Sequence, residues 1–426
     1  MEYQQHDEQA YNIHLFKTDK FKTITVMITF KRKILKEEIT KRSFINQLLL
    51  LSSKNFPSER LLCKEMERLY GPIIGANERR VGNYAITTFY IQMIDEQYTE
   101  PGMNEKSLNF FKEILFNPDV SGGAFNKKVF NIVKRDIRAR LRSVKDNLRS
   151  YSTIRMLEHL DKDSPLSYRR GYLEDLEHIN EKNLYEYYKS MLNSDLVDVF
   201  VMGNIDFHDM RKSVNEMIPI NTIKKHKKSL FIDHKTANKH INKASEEIEG
   251  LSQSKLVIGC KIVGLNDFER KYVLPIYSDI LGGPSYSKLF QSVREKNSLA
   301  YYIYSNYRRG DNLLIVSSGI NKESYDLAVK LIKEQFDNMS KGIIDDDELN
   351  RAKEDIISII KSVEDKPLRL ISDLASQTIF DLDDTEKRKK EILNVTIEDV
   401  KSISKKIKID TIYLLHGGDA VERDNN

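Results

Sequence analysis

The feature that most constrains this 426-residue chain is that it runs through one succession of elements twice. Apolar strand-like runs and amphipathic stretches lead to a long charged helical stretch at about 125–160, then to a loop, a helix and the closing strand LVDVFVMG. The order returns as KLVIGCKIVG, FERKYVLPIYSDILGG, NLLIVSSGI and SYDLAVKLIKEQFDNM. A second long helix, ELNRAKEDIISIIKSVEDKPLRLISDLA, and the strand TIYLLHGGD follow. A register without gaps joins the halves: Lys134 matches Lys353, Asp136 matches Asp355, and Ser143-Val144 matches Ser362-Val363, all at an offset of 219. Two tandem homologous domains are expected, 1–218 and 248–426. Residues 219–247, rich in lysine and histidine, read as a solvated basic linker holding one short strand, LFID. The alternative use for its Lys224–Lys228 cluster is contact with an acidic partner.

Within the first half, His14–Lys17 and Thr23–Phe30 read as paired strands. RSFINQLLLLS (42–52) reads as an apolar helix, RLLCKEMERLY as an amphipathic helix stopping at Gly71, and Tyr84–Met93 as a further strand. Hydrophobic content of 40% with 31% charged residues describes a globular chain, and a net charge of +4 is too mild for a dedicated nucleic-acid binder. No apolar run is long enough to cross a bilayer, and MEYQQHDEQAYNIHLF has neither a basic n-region nor an apolar h-region. Cys63 and Cys260 sit in apolar patterns and read as buried, reduced thiols. A cytoplasmic protein is the expectation.

Residues 281–304, LGGPSYSKLFQSVREKNSLAYYIY, carry the best clue to function. Gly282, Gly283 and Pro284 break the preceding element. Leu289, Phe290 and Val293 recur on one helical face, and Leu299–Ile303 turns apolar and aromatic, as strands prefer. Arg294 and Tyr301 fall on either side of the intervening turn. Read from these residues alone, Arg294 is a solvated helix residue paired with Glu295 or Asp311, and Tyr301 is strand core. The string GG-x-x-S-x-L-F-x-x-V-R-E-x-x-x-L-A-Y, however, resembles the C-terminal half of the insulinase/pitrilysin-like M16 zinc peptidases. The resemblance implies an α+β fold of the M16/LuxS-like metallohydrolase type, each domain an antiparallel-rich sheet covered by helices. It also implies that Arg294 and Tyr301 bind substrate, holding a peptide near zinc. Guanidinium and phenol suit that role, since one offers fixed donors and the other can donate to a developing oxyanion.

The family's N-terminal half carries H-x-x-E-H on its first long helix, two histidines binding zinc and the glutamate activating water. The corresponding stretch here, RSFINQLLLLSSKNFPS, has neither histidine nor glutamate, and no histidine lies between His14 and His159. Leucines at the motif let the helix pack as core. Asp136, near the place of the family's additional glutamate, is flanked by Lys134, Arg135 and Arg138. Glu158-His159, Glu177-His178 and His208-Asp209 are adjacent pairs and not chelating i, i+4 pairs, so surface or capping roles are expected. Phosphate-binding, nucleophile-elbow and dinucleotide loops are missing.

The resemblance extends over the whole chain. It is nearest to a firmicute branch of the family without the zinc motif, the YfmF/YmfF type. It implies a subunit with no catalytic residue and no bound cofactor or metal of its own, which binds peptide and lends Arg294 and Tyr301 to a partner. That partner is a catalytic M16 subunit carrying H-x-x-E-H in a heterodimer, with zinc in the partner; nucleic acid and membrane play no part. The alternatives are a scaffold with no peptidase role, tied by name to modification of elongation factor P, and an enzyme of unrecognised chemistry.

Overall fold

The structure is a computed structural model that describes residues 1–222, 230–238 and 240–418. The first half comprises β1 (Glu2–Asp7), β2 (Asn12–Lys17), β3 (Thr23–Lys33), α1 (Ile39–Leu48), α2 (Glu59–Arg68), β4 (Ile73–Val81), β5 (Tyr84–Ile94) and α3 (Met103–Phe116). A two-residue ribbon, β6 (Val120–Ser121) and β7 (Ala124–Phe125), precedes α4 (Lys127–Arg142), α5 (Leu148–Leu160), α6 (Leu173–His178), α7 (Glu181–Ser194), β8 (Leu196–Gly203) and α8 (Phe207–Met217). The second half comprises β9 (Asn242–Glu247), β10 (Ser254–Ile262), α9 (Leu274–Gly282), β11 (Ala300–Arg308), β12 (Leu313–Ile320) and α10 (Tyr325–Lys341). It closes with α11 (Asp346–Ser362), α12 (Pro367–Phe380), α13 (Thr385–Asn394), α14 (Ile397–Ser404) and β13 (Ile407–His416).

The chain is α+β and forms two compact units, each a mostly antiparallel sheet packed with helices. Their described residues are 1–143, 169–222 and 363–379 for the first, and 144–168, 230–362 and 380–418 for the second. The contiguous domains expected from the sequence therefore exchange two segments. Both long helices expected from the sequence break, one after α4 and one after α11, and the crossings fall at Ser143-Val144 and Ser362-Val363, the residue pair repeated in the two halves.

Burial on both faces of each sheet explains the exchange. In the first unit the strand order is β1-β2-β8-β3-β5-β4. Alternate residues of β3 (Ile24, Val26, Ile28, Phe30) and β8 (Val197, Val199, Val201) enter a core with Phe44, Leu48 and Val133. The opposite face presents Phe16, Met27, Phe200 and Met202, which receive Ile371, Leu374 and Ala375 of α12. In the second unit the order is β11-β12-β10-β13-β9. Leu256, Ile258, Cys260 and Ile262 of β10 face the main core, while Val257, Ile315 and Tyr413 meet Tyr151, Met156, Leu157 and Leu160 of α5. A Cβ on Gly259 would lie 2.5 Å from Met156 Sδ, so glycine lets α5 approach this sheet closely. Burying one large apolar side chain is worth roughly 1.5–3 kcal/mol, so several on one helix decide where it packs.

Some strand expectations change. β2 and β3 lie in one sheet but are separated by β8, which pairs parallel with β2 and antiparallel with β3. β1, β4 and β9, not read from the sequence, are edge strands whose polar residues blur the alternation. β9 falls inside the expected linker, and residues 230–233 form no strand, only His234 bridging to Val263 beyond them. The Lys224–Lys228 cluster lies outside the described residues. Cys260 is buried, but Cys63 is exposed on α2, and both thiols are free. Among the described residues no helix is long and apolar enough to cross a membrane.

α1 is held by a charge network. The Arg42 guanidinium, 1% exposed, bonds Asp195 Oδ2 at 2.5 Å, Thr87 Oγ1 at 3.0 Å, Tyr187 Oη at 3.1 Å and the Phe30 carbonyl at 3.3 Å. Asp195 also accepts from Arg32 Nε at 2.5 Å. Removing one partner from a buried pair strands a charge, which costs about 3–5 kcal/mol, whereas removing both is much cheaper. Asp195→Ala is expected to lower stability by about that amount in chemical denaturation, and adding Arg42→Met to recover a large part of it.

Candidate functional site

The turn between α9 and β11 is built by backbone geometry. α9 ends at Gly282, where a Cβ would stand 2.6 Å from the Ser305 backbone nitrogen on β11, so glycine permits helix and strand to touch. Two serines join them: Ser305 Oγ donates to the Ser278 carbonyl at 2.5 Å, and the two hydroxyls lie 2.9 Å apart. Phe290–Glu295 forms a π-helical turn, a wide form that recurs at functional sites. Ser298 takes a left-handed φ of 52°, and the Leu299 amide returns to the Val293 carbonyl at 3.0 Å. The β11–β12 register then slips between Ala300 and Tyr302, leaving Tyr301 in a bulge, a device that re-aims a side chain.

The outcome separates Arg294 and Tyr301 from the core. Tyr301 is 76% exposed, and Arg294 is exposed with its guanidinium carbon 4.6 Å from the Phe290 ring centre. Neither side chain makes a hydrogen bond or ion pair with another described residue, and Asp311 pairs with Arg308 at 2.8 Å. The two line one surface cavity of about 490 Å³ together with Gln253, Glu295, Ser298 and Gly319. β11 is the edge of its sheet.

Below this turn two carboxylates share a tyrosine. The Tyr286 hydroxyl donates to Asp355 on α11 and lies 3.5 Å from Asp279 on α9. Burial, with the Asp355 charge behind it, pushes the Asp279 carboxyl up to about 7.

Residues 178–356 match the family described as Peptidase M16 inactive domain. The chain is 29% identical over 411 residues, 95% of each chain, to the Bacillus subtilis protein named "Probable inactive metalloprotease YmfF". A conserved protein from Enterococcus faecalis has the same fold with a TM-score of 0.90, 23% identity and coverage of 98% of this chain and 99% of that one. A Pseudomonas fluorescens structure described as a peptidase M16 inactive domain superposes with a TM-score of 0.80, 16% identity and 98% coverage of both chains. Over residues 178–356 the chain is similar to the M16 peptidase family.

The M16 zinc motif can be tested against α1. Only Ser43, Asn46 and Gln47 reproduce the H-x-x-E-H spacing with polar side chains throughout. Leucines do not fill those positions, as the sequence suggested: Leu48 ends the helix and Leu49 follows it, both packed in the core. The Ser43 hydroxyl donates to Glu78 Oε2 at 2.5 Å, with the Arg170 carbonyl 3.2 Å away. Burial pushes the Glu78 carboxyl up, and Arg42, Arg140 and Arg170 pull it partly back. A hydroxyl and two amides, with none of the imidazoles, thiolates or carboxylates that zinc takes, do not fit a divalent zinc ion. Asp136 is exposed and sits 3.3 Å from Arg135. Among the described residues the one close group of three potential metal ligands is Asp206, His208 and Asp209, all exposed, where Asp206 caps α8 by accepting the Asp209 amide at 3.0 Å.

The string GG-to-AY marked this site, whereas the bulge and the π turn, which depend on β12 and on packing, left no local signal. The Asp279 carboxyl binds its proton more tightly folded than unfolded, so its contribution to stability is full below about pH 4 and is lost as pH rises through about 7. Asp279→Asn is therefore expected to flatten the fall in Tm across that window and to raise Tm above pH 7, read from thermal melts in a buffer series.

Proposed function

We propose that the chain is the noncatalytic, peptide-binding subunit of a two-chain M16 zinc peptidase, to which a partner carrying H-x-x-E-H brings the metal. The observation that carries this reading is the pair Arg294 and Tyr301, whose exposed side chains have no hydrogen-bond or ion-pair partner among the described residues and line one cavity at the free edge of a sheet. The α1 positions unfit for zinc support a subunit that is inactive on its own, as does the word "inactive" in the name of the Bacillus subtilis relative. An extended peptide adds to the β11 edge through backbone bonds, which give affinity with little demand on sequence. Arg294 fixes the peptide, and the Tyr301 phenol donates to the carbonyl oxygen that turns negative as the amide is attacked. Two free thiols suit a reducing cytoplasm.

Peptide cleavage by this chain purified with a motif-bearing M16 partner tests the proposal. Arg294→Ala combined with Tyr301→Phe is expected to lower the mixed activity by roughly 10² or more, since one oxyanion donor alone is typically worth 10²–10³. Unchanged cleavage by the variant would refute the role given to the pair. A stable complex that neither cleaves nor binds peptides would favour a scaffold instead.

A further inference from the structure

One step along β11 from Tyr301, Arg149 and Lys255 approach the same ring, and neither has a carboxylate partner among the described residues. Tyr302 and Tyr304 lie on the sheet face covered by α5, because their partners Gly319 and Ser317 share a face of β12 with Ile315, which packs under that helix. The two rings stack with centres 6.0 Å apart. Arg149, in the first turn of α5, places its guanidinium carbon 3.7 Å from the Tyr302 ring centre and 5.6 Å from that of Tyr304. Lys255 on β10 brings its ammonium 5.9 Å from the Tyr302 ring and donates to Gln253 Oε1 at 2.6 Å. Gln253 in turn lines the cavity that holds Arg294 and Tyr301. A Cβ on Gly319 would meet the Tyr302 ring at 2.6 Å, so glycine lets that ring lie flat across β12.

The arrangement differs from an ordinary charged surface. Elsewhere on α5, Arg155 is neutralised by Glu246 at 2.8 Å and by Glu158. Arg149 and Lys255 have no carboxylate partner among the described residues. Burial and the neighbouring Arg149 charge push the Lys255 ammonium down from its ordinary value. An aromatic floor seats the Arg149 cation, and a guanidinium carries five N–H donors, enough to meet an anion beside the Tyr302 hydroxyl that it also bonds.

We propose that Arg149 and Lys255, seated on Tyr302 and Tyr304, form a carboxylate subsite for a peptide lying along β11. The proposal rests on the peptide-binding reading of the adjacent cavity and adds a substrate preference to it. Strand residues rise about 3.3 Å each, so the carboxylate belongs one or two residues from the peptide bond held at Tyr301. The anion is an acidic side chain or the terminal carboxylate of the peptide. Two cations beside a free strand edge, on a chain of net charge +4, suit one carboxylate and not a polyanion.

The test is direct binding of labelled ten-residue peptides to the purified full chain by fluorescence anisotropy. Three C-terminally amidated peptides differ only in one Glu, Gln or Lys, and a fourth is the Gln peptide with a free C-terminus. The Glu peptide or the free-acid peptide is expected to bind at least tenfold tighter than the amidated Gln peptide, and which of them gains identifies the source of the carboxylate. Arg149→Glu with Lys255→Glu is expected to reverse the order in favour of the Lys peptide, a result that misfolding cannot produce. Lys255→Arg is expected to keep the acidic preference, and Arg294→Ala to weaken all four peptides while leaving their ratios intact. Equal binding of all four peptides, or an acidic preference that survives the double reversal, overturns the subsite while peptide binding stands. Failure of every peptide to bind overturns both.

Discussion

Each of the two large sheets has two apolar faces, and the architecture follows from the need to cover the second one. The connecting helices of each half pack on one side only. α5 and α12 supply the other cover, one for each unit, after a break that the two halves place at the same Ser-Val pair. Leaving Phe200 and Met202, or Val257 and Tyr413, in water would forfeit the burial that stabilises the sheets. Gly259 shows how closely this contact is fitted, because even a methyl group there would press on Met156.

The same helix that covers the sheet of the second unit furnishes its polar surface. The first turn of α5 carries Arg149 to the rings of Tyr302 and Tyr304, while the remaining turns bury Met156, Leu157 and Leu160. On the other side of β11, Gly282 and the Ser278–Ser305 contact hold α9 against the strand. The edge strand is thus fixed from both faces, while Tyr301 in its bulge stays exposed. α1 of the first unit has the opposite character. Its Arg42 is sunk among four acceptors and its Ser43 is tied to Glu78, so the helix is a fixed structural element.

Much of this was legible in the residues. The repeated order of elements pointed to two α+β units, though not to the segments they exchange, and the string from Gly282 to Tyr301 pointed to one site. Strands whose faces are both buried, such as β3, β8 and β10, announced themselves as apolar runs. Edge strands did not: β1, β4 and β9 have little to bury, so EYQQHD, IIGANERRV and NKASEE carry a weak pattern. The long helices misled because amphipathic spacing continues across each break, and only the position of an apolar sheet face decides where the second segment goes. Cys63 misled similarly, since an apolar neighbourhood in sequence became the exposed side of α2.

By itself the sequence determined the duplication, the kind of fold, the missing H-x-x-E-H and the Arg294–Tyr301 candidate pair, because these are properties of residue type and of spacing along the chain. Only the tertiary structure decided which helix covers which sheet, that β11 is an edge, that Tyr301 sits in a bulge, and that Arg149 and Lys255 both meet the Tyr302 ring. Those outcomes depend on contacts between residues far apart in the chain, whose free energy exists only once the chain has closed on itself.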